Sequence, residues 1–230
     1  SAGKHRLSRR LGDNAAQSAR AVALDDTGAI YLGGALAGTM TIDGTTLRSA
    51  GQKDAFLVKL DSTGKLVFGR SAGDGSDQEV QALRPDGEGG VVAAGSFVGS
   101  ITLDGVSAPL TSNGVQKTLF VGRLKADGAL RWQRSYPVTL AGLAVTKGGR
   151  HAISGPLGAA VDFGGGPLAD PNAAAYLVFL DDAGKVQQQT TLGGAGGGFA
   201  TGGMAFDGSG RLILGGAFRG TVNPGGGEVT

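Results

Sequence analysis

Short apolar runs alternate with small polar turns along the whole chain. The first run, residues 21–24, is followed by Asp25-Asp26-Thr27-Gly28 and then by a second run at residues 30–32. In such turns the aspartate accepts a hydrogen bond from the backbone two residues on, and the glycine supplies the positive φ of a tight hairpin. No segment keeps an apolar period of 3.6 residues. The pattern therefore predicts antiparallel strands joined by hairpins, with essentially no helix.

The same pattern returns about every sixty residues. Its anchoring glycines are Gly34, Gly95, Gly155 and Gly216, at spacings of 61, 60 and 61 residues. A second register begins each time with an aromatic residue, at Phe56, Phe120 and Tyr176. Two independent registers with one period identify tandem repeats.

Each repeat contains the signals of four strands. In the first, an excursion at residues 39–44 follows the second strand, and a third (55–60) and a fourth strand (66–71) complete the unit. One such sheet cannot bury both of its faces alone, so the copies must stack. Small residues such as Ala21, Ala23, Ala82 and Gly142 suit first strands that crowd a central axis. The predicted fold is an all-β propeller built of four-stranded antiparallel blades, favoured over a linear solenoid, whose coils are usually shorter and parallel.

The register divides the chain into five segments. They are a closing strand of a preceding blade (1–18), repeat 1 (19–79), repeat 2 (80–139), repeat 3 (140–198) and the first half of repeat 4 (199–230). The array thus begins and stops in mid-blade. We expect a partial or circularly offset propeller that additional blades or subunits complete.

Composition narrows the function classes. Glycine accounts for 45 of 230 residues, about three times its usual share, without the period of collagen. The net charge of +2 gives no reason to expect nucleic acid as a partner, and no apolar stretch is long enough for a membrane span. Cysteine is absent, which leaves the redox compartment open.

The repeat resembles the bacterial propeller repeat family known as SBBP repeats. The resemblance rests on Ala-Val-x-x-Asp-x-x-Gly-x-x-Tyr-x-x-Gly at residues 21–34, on the Asp-Phe-Gly-Gly-Gly run at 162–166 and on Asp-Ala-Phe-Leu-Val-Lys-Leu-Asp at 54–61. It implies a module of an exported or cell-surface bacterial protein and no catalytic residues. Repeat 3 departs from the pattern at His151 and Pro156, which puts the regularity of that blade in doubt.

The histidines and the Gly-Lys pairs do not have the spacing of a metal site, a catalytic triad or a phosphate-binding loop. The two imidazoles, His5 and His151, lie far apart in the register, so neither a two-histidine metal site nor a catalytic triad is expected. The Gly-Lys pairs at Lys65 and Lys185 superficially resemble a phosphate-binding loop. Leu66 or Val186 follows in place of Ser or Thr, so both pairs are predicted to be hairpin turns. The glycine run at residues 193–198 is predicted to be a flexible link between blades.

Carboxylates offer oxygen ligands for Ca²⁺ without a known calcium-loop spacing. The candidates are Asp13, Asp25, Asp26, Asp74, Asp77 and Glu79. Structural calcium is the minor interpretation and turn chemistry the major one, so no cofactor is predicted.

Two further sets of residues recur in the register. Arg9 in the basic segment 4–10 aligns with Arg70 and Arg134, which predicts charged residues that protect outer strand edges and not a nucleic-acid arm. The aromatic residues are predicted to fill the core between blades, and would form a carbohydrate or peptide platform if exposed on one rim. They are Phe56, Phe120, Trp132, Tyr176 and Phe179.

These observations predict no catalytic, cofactor-binding or metal-binding residues. The preferred hypothesis is a non-enzymatic structural or interaction scaffold, exported or attached to the cell envelope, whose propeller loops bind protein or glycan. One alternative is a propeller hydrolase or lyase that acts on glycans through carboxylates at the axial mouth. A further alternative is a subunit of a larger surface assembly.

Overall fold

The structure, a computed structural model, describes residues 8–114, 116–170, 173–193, 198–222, 227 and 229. These residues form strands and turns without a helix, as the apolar pattern predicts. The strands are β1 (Gln17–Leu24), β2 (Ile30–Leu36), β3 (Thr39–Ile42), β4 (Thr45–Arg48), β5 (Asp54–Leu60), β6 (Leu66–Ala72), β7 (Gln78–Pro85), β8 (Val91–Phe97), β9 (Ser100–Ile101), β10 (Leu110–Thr111), β11 (Thr118–Leu124), β12 (Leu130–Tyr136), β13 (Gly142–Val145), β14 (His151–Pro156), β15 (Val161–Asp162), β16 (Pro167–Leu168), β17 (Ala173–Leu180), β18 (Val186–Gly193), β19 (Gly198–Phe206) and β20 (Leu212–Arg219).

Each of the first three repeats forms one four-stranded antiparallel sheet. The strand orders are β1-β2-β5-β6, β7-β8-β11-β12 and β13-β14-β17-β18, so every strand pairs with its neighbour in the repeat. The excursion between the second and third strands is a small separate hairpin in each case, β3-β4, β9-β10 or β15-β16. The fourth repeat contributes the hairpin β19-β20.

The structure corrects two expectations. Residues 8–16 form no strand, and β1 begins at Gln17, so the predicted closing strand does not extend to residue 18. Repeat 3, which the sequence predicts to be less regular, has the same four-stranded sheet as repeats 1 and 2. Its His151 takes the position of Ile30 and Val91 against the third strand, and Pro156 closes β14 at the end of the ladder.

The anchoring glycines lie on the second strand of each sheet, where it pairs with the first strand. Opposite Gly34 and Gly95 the first strand has a bulge, after Ala19 and Val80 respectively. The bulge brings a carbonyl oxygen of the first strand against the glycine Cα, so that a Cβ on Gly34 or Gly95 would overlap it. The repeat keeps glycine here because backbone occupies the space of a side chain.

The hydrophobic core lies between successive sheets. Between the first two sheets Tyr31 and Leu57 meet Leu83 and Phe97, together with Ile101 of the second excursion. A larger cluster of the same kind joins the second and third sheets. The sheets therefore stack face to face, as the tandem repeat requires.

The first strands of all four repeats line one cavity of about 270 Å³. Its lining includes Arg20 of β1, Gln81 of β7, Leu143 of β13 and Met204 of β19. In the turns that follow β13 and β1, Lys147 Nζ of repeat 3 lies 2.5 Å from Asp26 Oδ2 of repeat 1, although 121 residues separate them in sequence. The four first strands are thus gathered around a common space, which is called the axial cavity below.

Candidate functional site

Aspartates of the hairpin turns are engaged by their own turns. Asp25 Oδ1 accepts hydrogen bonds from the backbone nitrogens of Thr27 and Ala29, at 2.9 and 3.0 Å, and from the Thr27 hydroxyl. Asp207 Oδ1 has the same arrangement with Ser209 and Arg211, and these hydrogen bonds lower the pKa of Asp207 to about 2. Turn chemistry accounts for these carboxylates.

Two other calcium candidates fix the entry to the first strands. Asp74 Oδ1 accepts from Ser76 N and Gln78 Nε2, and Oδ2 accepts from Ser100 N. Asp13 binds the corresponding atoms of repeat 1, which holds the pKa of its carboxyl well below the usual range. Each aspartate thus holds the loop that leads into the first strand of its repeat, β1 for Asp13 and β7 for Asp74.

The remaining candidates do not converge either. Glu79 binds Arg20 at 2.7 Å, Asp26 binds Lys147, and Asp77 pairs through its backbone with Lys53. In the part of the chain that the structure describes, no three histidine or acidic side chains are grouped as they would be around a metal ion.

His151 is fully buried beside Trp132, with ring centroids 5.3 Å apart. Its Nδ1 lies 3.0 Å from the Asp181 carbonyl, which can only accept, so Nδ1 carries the proton. Burial lowers the pKa of His151, the Asp181 contact opposes this, and the nearby Arg123 charge adds to the lowering. His5 and the rest of segment 4–7 lie outside the described residues.

The Gly-Lys pairs are hairpin turns, as predicted. Gly64 N donates to Asp61 O at 2.9 Å with φ of 88°, and β6 begins two residues later. Gly184 repeats this geometry between β17 and β18. Of the glycine run 193–198, Gly193 ends β18, Gly198 begins β19, and 194–197 lie outside the described residues.

The recurrent arginines join repeats and do not protect strand edges, which corrects the sequence interpretation. Arg9 Nη1 donates to Gly64 O at 2.6 Å, and Arg70 Nη1 donates to Asp104 O at 3.0 Å. Arg134 Nη2 reaches Ala183 O at 3.3 Å. Each acceptor belongs to the repeat that follows the arginine. Arg70 and Arg134 reach it from the fourth strands β6 and β12, and Arg9 from residues that form no strand.

The recurrent aromatic residues are buried, as expected of a core between sheets. Phe56, Phe120, Trp132, Tyr176 and Phe179 are all less than a tenth exposed. Trp132 also donates its indole N–H to Asp182 O at 2.8 Å, across the junction of repeats 2 and 3. These five rings therefore form no exposed platform.

Sequence reasoning missed a buried cation in the third strands. Arg123 has no exposed side-chain surface and binds Asp86 at 3.0 Å, Glu88 at 3.0 Å, and Asp182 of repeat 3. Burial acts to lower the pKa of Arg123, but Asp86 and Asp182 together raise it above its ordinary value. The signal was present, because Lys59 occupies the same register position in repeat 1 and donates to Gly89 O of repeat 2 at 2.7 Å.

A polar pocket lies at the end of the sheets where β1 and β7 begin. We call it the rim pocket; it has a volume of about 150 Å³ and is lined by Ser18, Arg20, Ala35, Lys53, Asp77, Gln78, Glu79, Ser96 and Lys117. Lys53 and Lys117 are exposed, and neither Nζ has a hydrogen bond or an ion pair with another described residue. The pocket thus combines two available cations with hydroxyl and amide groups and with the exposed Asp77 carboxylate, whereas Glu79 is paired with Arg20. This set suits a polar ligand with acidic or hydroxyl groups.

Comparison with known proteins gives no assignment. No protein-family model matches the sequence, and a search of curated proteins finds no match either. Separately, the described residues include no helix long and apolar enough to cross a membrane.

Proposed function

We propose that the chain is a β-propeller of the bacterial SBBP-repeat type that acts as a non-enzymatic scaffold, exported or attached to the cell envelope, and binds protein or glycan at one rim. The axial cavity carries this proposal. Four first strands around a single space are typical of radial stacking, whereas a linear stack separates successive first strands by about 10 Å each.

The rim pocket supports the binding role. It lies between the sheets of repeats 1 and 2, so residues of adjacent repeats form its walls. Lys53 and Lys117 stand at equivalent positions, immediately before the third strands β5 and β11. A pair of exposed cations of this kind is suited to an extended acidic or hydroxyl-rich partner.

The alternative of an axial hydrolase or lyase has less support. The described residues that line the axial cavity include Arg20, Arg84 and Gln81. None of these lining residues is an aspartate or a glutamate. A glycosidase of the usual kind needs two carboxylates that face each other across the bond to be cleaved. The cavity instead offers positive charge.

An apolar groove beside β20 supports the expectation that a further blade or subunit adds to the array. Leu177 and Leu192 of the third sheet and Leu214 and Phe218 of β20 line this groove, whose volume is about 420 Å³. In the other repeats the second strand pairs with a third strand at this edge, as β14 does with β17. A continuous apolar strand like β17 would fill the groove and pair with β20.

Calorimetric titration of the purified protein with bacterial polysaccharides and peptides tests the binding role. We expect saturable binding of an acidic or hydroxyl-rich ligand that is recovered unchanged. The variant Lys53→Ala/Lys117→Ala is expected to lose at least tenfold in affinity. The matched control Lys125→Ala/Lys185→Ala, with the same charge change in turns at the opposite end of the sheets, is expected to bind as the original protein does.

Two results would contradict the proposal. One is conversion of the ligand into product that a single substitution abolishes, which would establish an enzyme. The other is binding that both double variants keep equally, which would place the ligand away from the rim pocket.

A further inference from the structure

Two buried side chains at the junction of repeats 1 and 2 each carry an oxygen atom without a hydrogen-bond partner, and both side chains approach Gly73. Asp54, the first residue of β5, is 2% exposed, and Gln78, the first residue of β7, is 1% exposed. Asp54 Oδ1 and Gln78 Oε1 have no hydrogen-bond partner among the described residues. Both groups press on the Cα of Gly73, where a Cβ would overlap Gln78 Oε1 and come within 2.9 Å of Asp54 Cγ.

The orientation of the Gln78 amide is fixed by its other partners. Its Nε2 donates to Asp74 Oδ1 and to Val98 O, both at 2.8 Å, and both of these atoms can only accept. Rotating the amide would place Oε1 against two acceptors. The Gln78 oxygen is therefore held toward Asp54 as an acceptor.

The Asp54 carboxyl has one satisfied oxygen and one bare oxygen. Oδ2 accepts from Ala50 N at 3.0 Å, whereas Oδ1 has no hydrogen-bond partner among the described residues. A buried ionised carboxylate with one bare oxygen loses hydration that nothing replaces, and a single proton on Oδ1 removes that cost by making a hydrogen bond. A calcium ion would need six or more oxygen ligands, and of the carboxyl and amide oxygens of this pair only Asp54 Oδ1 and Gln78 Oε1 are free of hydrogen bonds.

We propose that Asp54 is protonated in the folded protein and donates its proton to Gln78 Oε1, so that acid strengthens the junction between repeats 1 and 2. Gln78 lines the rim pocket, so ionisation of Asp54 acts on a wall of that pocket. The inference concerns this junction alone and does not depend on the radial arrangement.

The charged surroundings agree with this assignment. Burial raises the pKa of Asp54, the Ala50 hydrogen bond opposes it, and the negative Asp74 raises it further. On β7, Glu79 is bound to Arg20, and Lys53 next to Asp54 is exposed and contacts Gln78 through its backbone oxygen. The pair is confined to this junction, because Thr118 replaces Asp54 at the same position in repeat 2.

Urea unfolding of the original protein and of Asp54→Asn between pH 4 and pH 8 tests the proposal. The asparagine amide can donate to Gln78 Oε1 at every pH while its oxygen accepts from Ala50 N. An aspartate whose folded pKa is raised stabilises below its unfolded pKa of about 3.9 and loses that contribution as pH rises. We expect the unfolding constant of the original protein, relative to Asp54→Asn, to rise by up to tenfold for each pH unit within the titration.

The matched control is Asp61→Asn, in an exposed turn where hydrogen bonds lower the pKa of the carboxyl. Its effect must run in the opposite direction, with the original protein gaining stability over this variant as pH rises from 4 to about 5 and no further change above that. The result that overturns the proposal is an Asp54→Asn variant that behaves in the same way. Stabilisation of the original protein, but not of Asp54→Asn, by millimolar CaCl2 would overturn it in favour of a cation.

Infrared spectroscopy of the original protein gives a second test that needs no variant to fold. Between pH 4 and pH 8 we expect the carbonyl band of a protonated carboxylic acid to persist in the folded protein to a higher pH than in the unfolded protein. Loss of this band at the same pH in both states would overturn the proposal.

Discussion

Arg123 Nε donates to Asp86 Oδ2 at 3.0 Å with both side chains fully buried. The same aspartate accepts the backbone N–H groups of Glu88 and Gly90 through its other oxygen, so it closes the β7-β8 turn and holds the cation at once. Arg123 also reaches Asp182 of repeat 3. This one side chain therefore ties a turn, a third strand and the following repeat together.

Removing the Arg123 charge is expected to destabilise the fold strongly. Arg123→Met fills the space but leaves Asp86 buried without its cation, which typically costs about 3–5 kcal/mol. Urea denaturation at pH 7 measures this loss. Arg131→Ala is the control, since Arg131 is a third exposed and binds the half-exposed Glu88, so its loss should cost at most about 1 kcal/mol. Equal effects of the two variants would contradict the assigned role of Arg123.

Alanine at an anchoring glycine is expected to distort the bulged crossing of the first two strands. In Gly95→Ala the new methyl group overlaps Glu79 O, and relief of that overlap must move backbone, at a cost of about 2–3 kcal/mol. Thermal unfolding measures the effect. Gly203→Ala in β19, where no heavy atom lies within 4 Å of an added Cβ, is the control and should change stability little.

The buried His151 is expected to weaken the protein in mild acid. Since its folded pKa is lowered, it stabilises fully above the unfolded value of about 6.5, and this contribution is lost as pH falls through the folded pKa. His151→Val restores the residue type of the other repeats and should flatten this dependence. Denaturation between pH 4 and 8 checks it. A variant with the acid sensitivity of the original protein would contradict the assignment to His151.

The repeat period and the hairpin turns could be predicted from sequence because they are local. Asp25 and Gly28 carry the turn within four residues, and Gly34 marks the strand crossing wherever the period returns. The short apolar runs likewise identify the buried third strands. These elements are as the sequence predicts, apart from the residues before Gln17.

Contacts between repeats could not be predicted in the same way. The partners of Arg70 and Arg123 are 34 and 59 residues away, and their identity depends on how sheets stack. The sequence alone therefore predicts that Arg70 protects a strand edge, whereas in the structure it donates to Asp104 O in the excursion of repeat 2. The Asp54 and Gln78 pair carries no sequence signal, since it needs the close approach of two loops at Gly73.

The contact between Lys147 and Asp26 tests the radial arrangement most directly. The chain has no cysteine, so the variant Asp26→Cys/Lys147→Cys can be treated with a short bis-maleimide without side reactions. Sheets around one axis bring these turns of repeats 1 and 3 together, whereas a linear stack holds them about 20 Å apart. Asp26→Cys/Ser107→Cys, with one cysteine in the second excursion, is the control for random reaction. The radial account predicts rapid intramolecular cross-linking of the first variant, measured by mass spectrometry. Cross-linking no faster than in the control would contradict it.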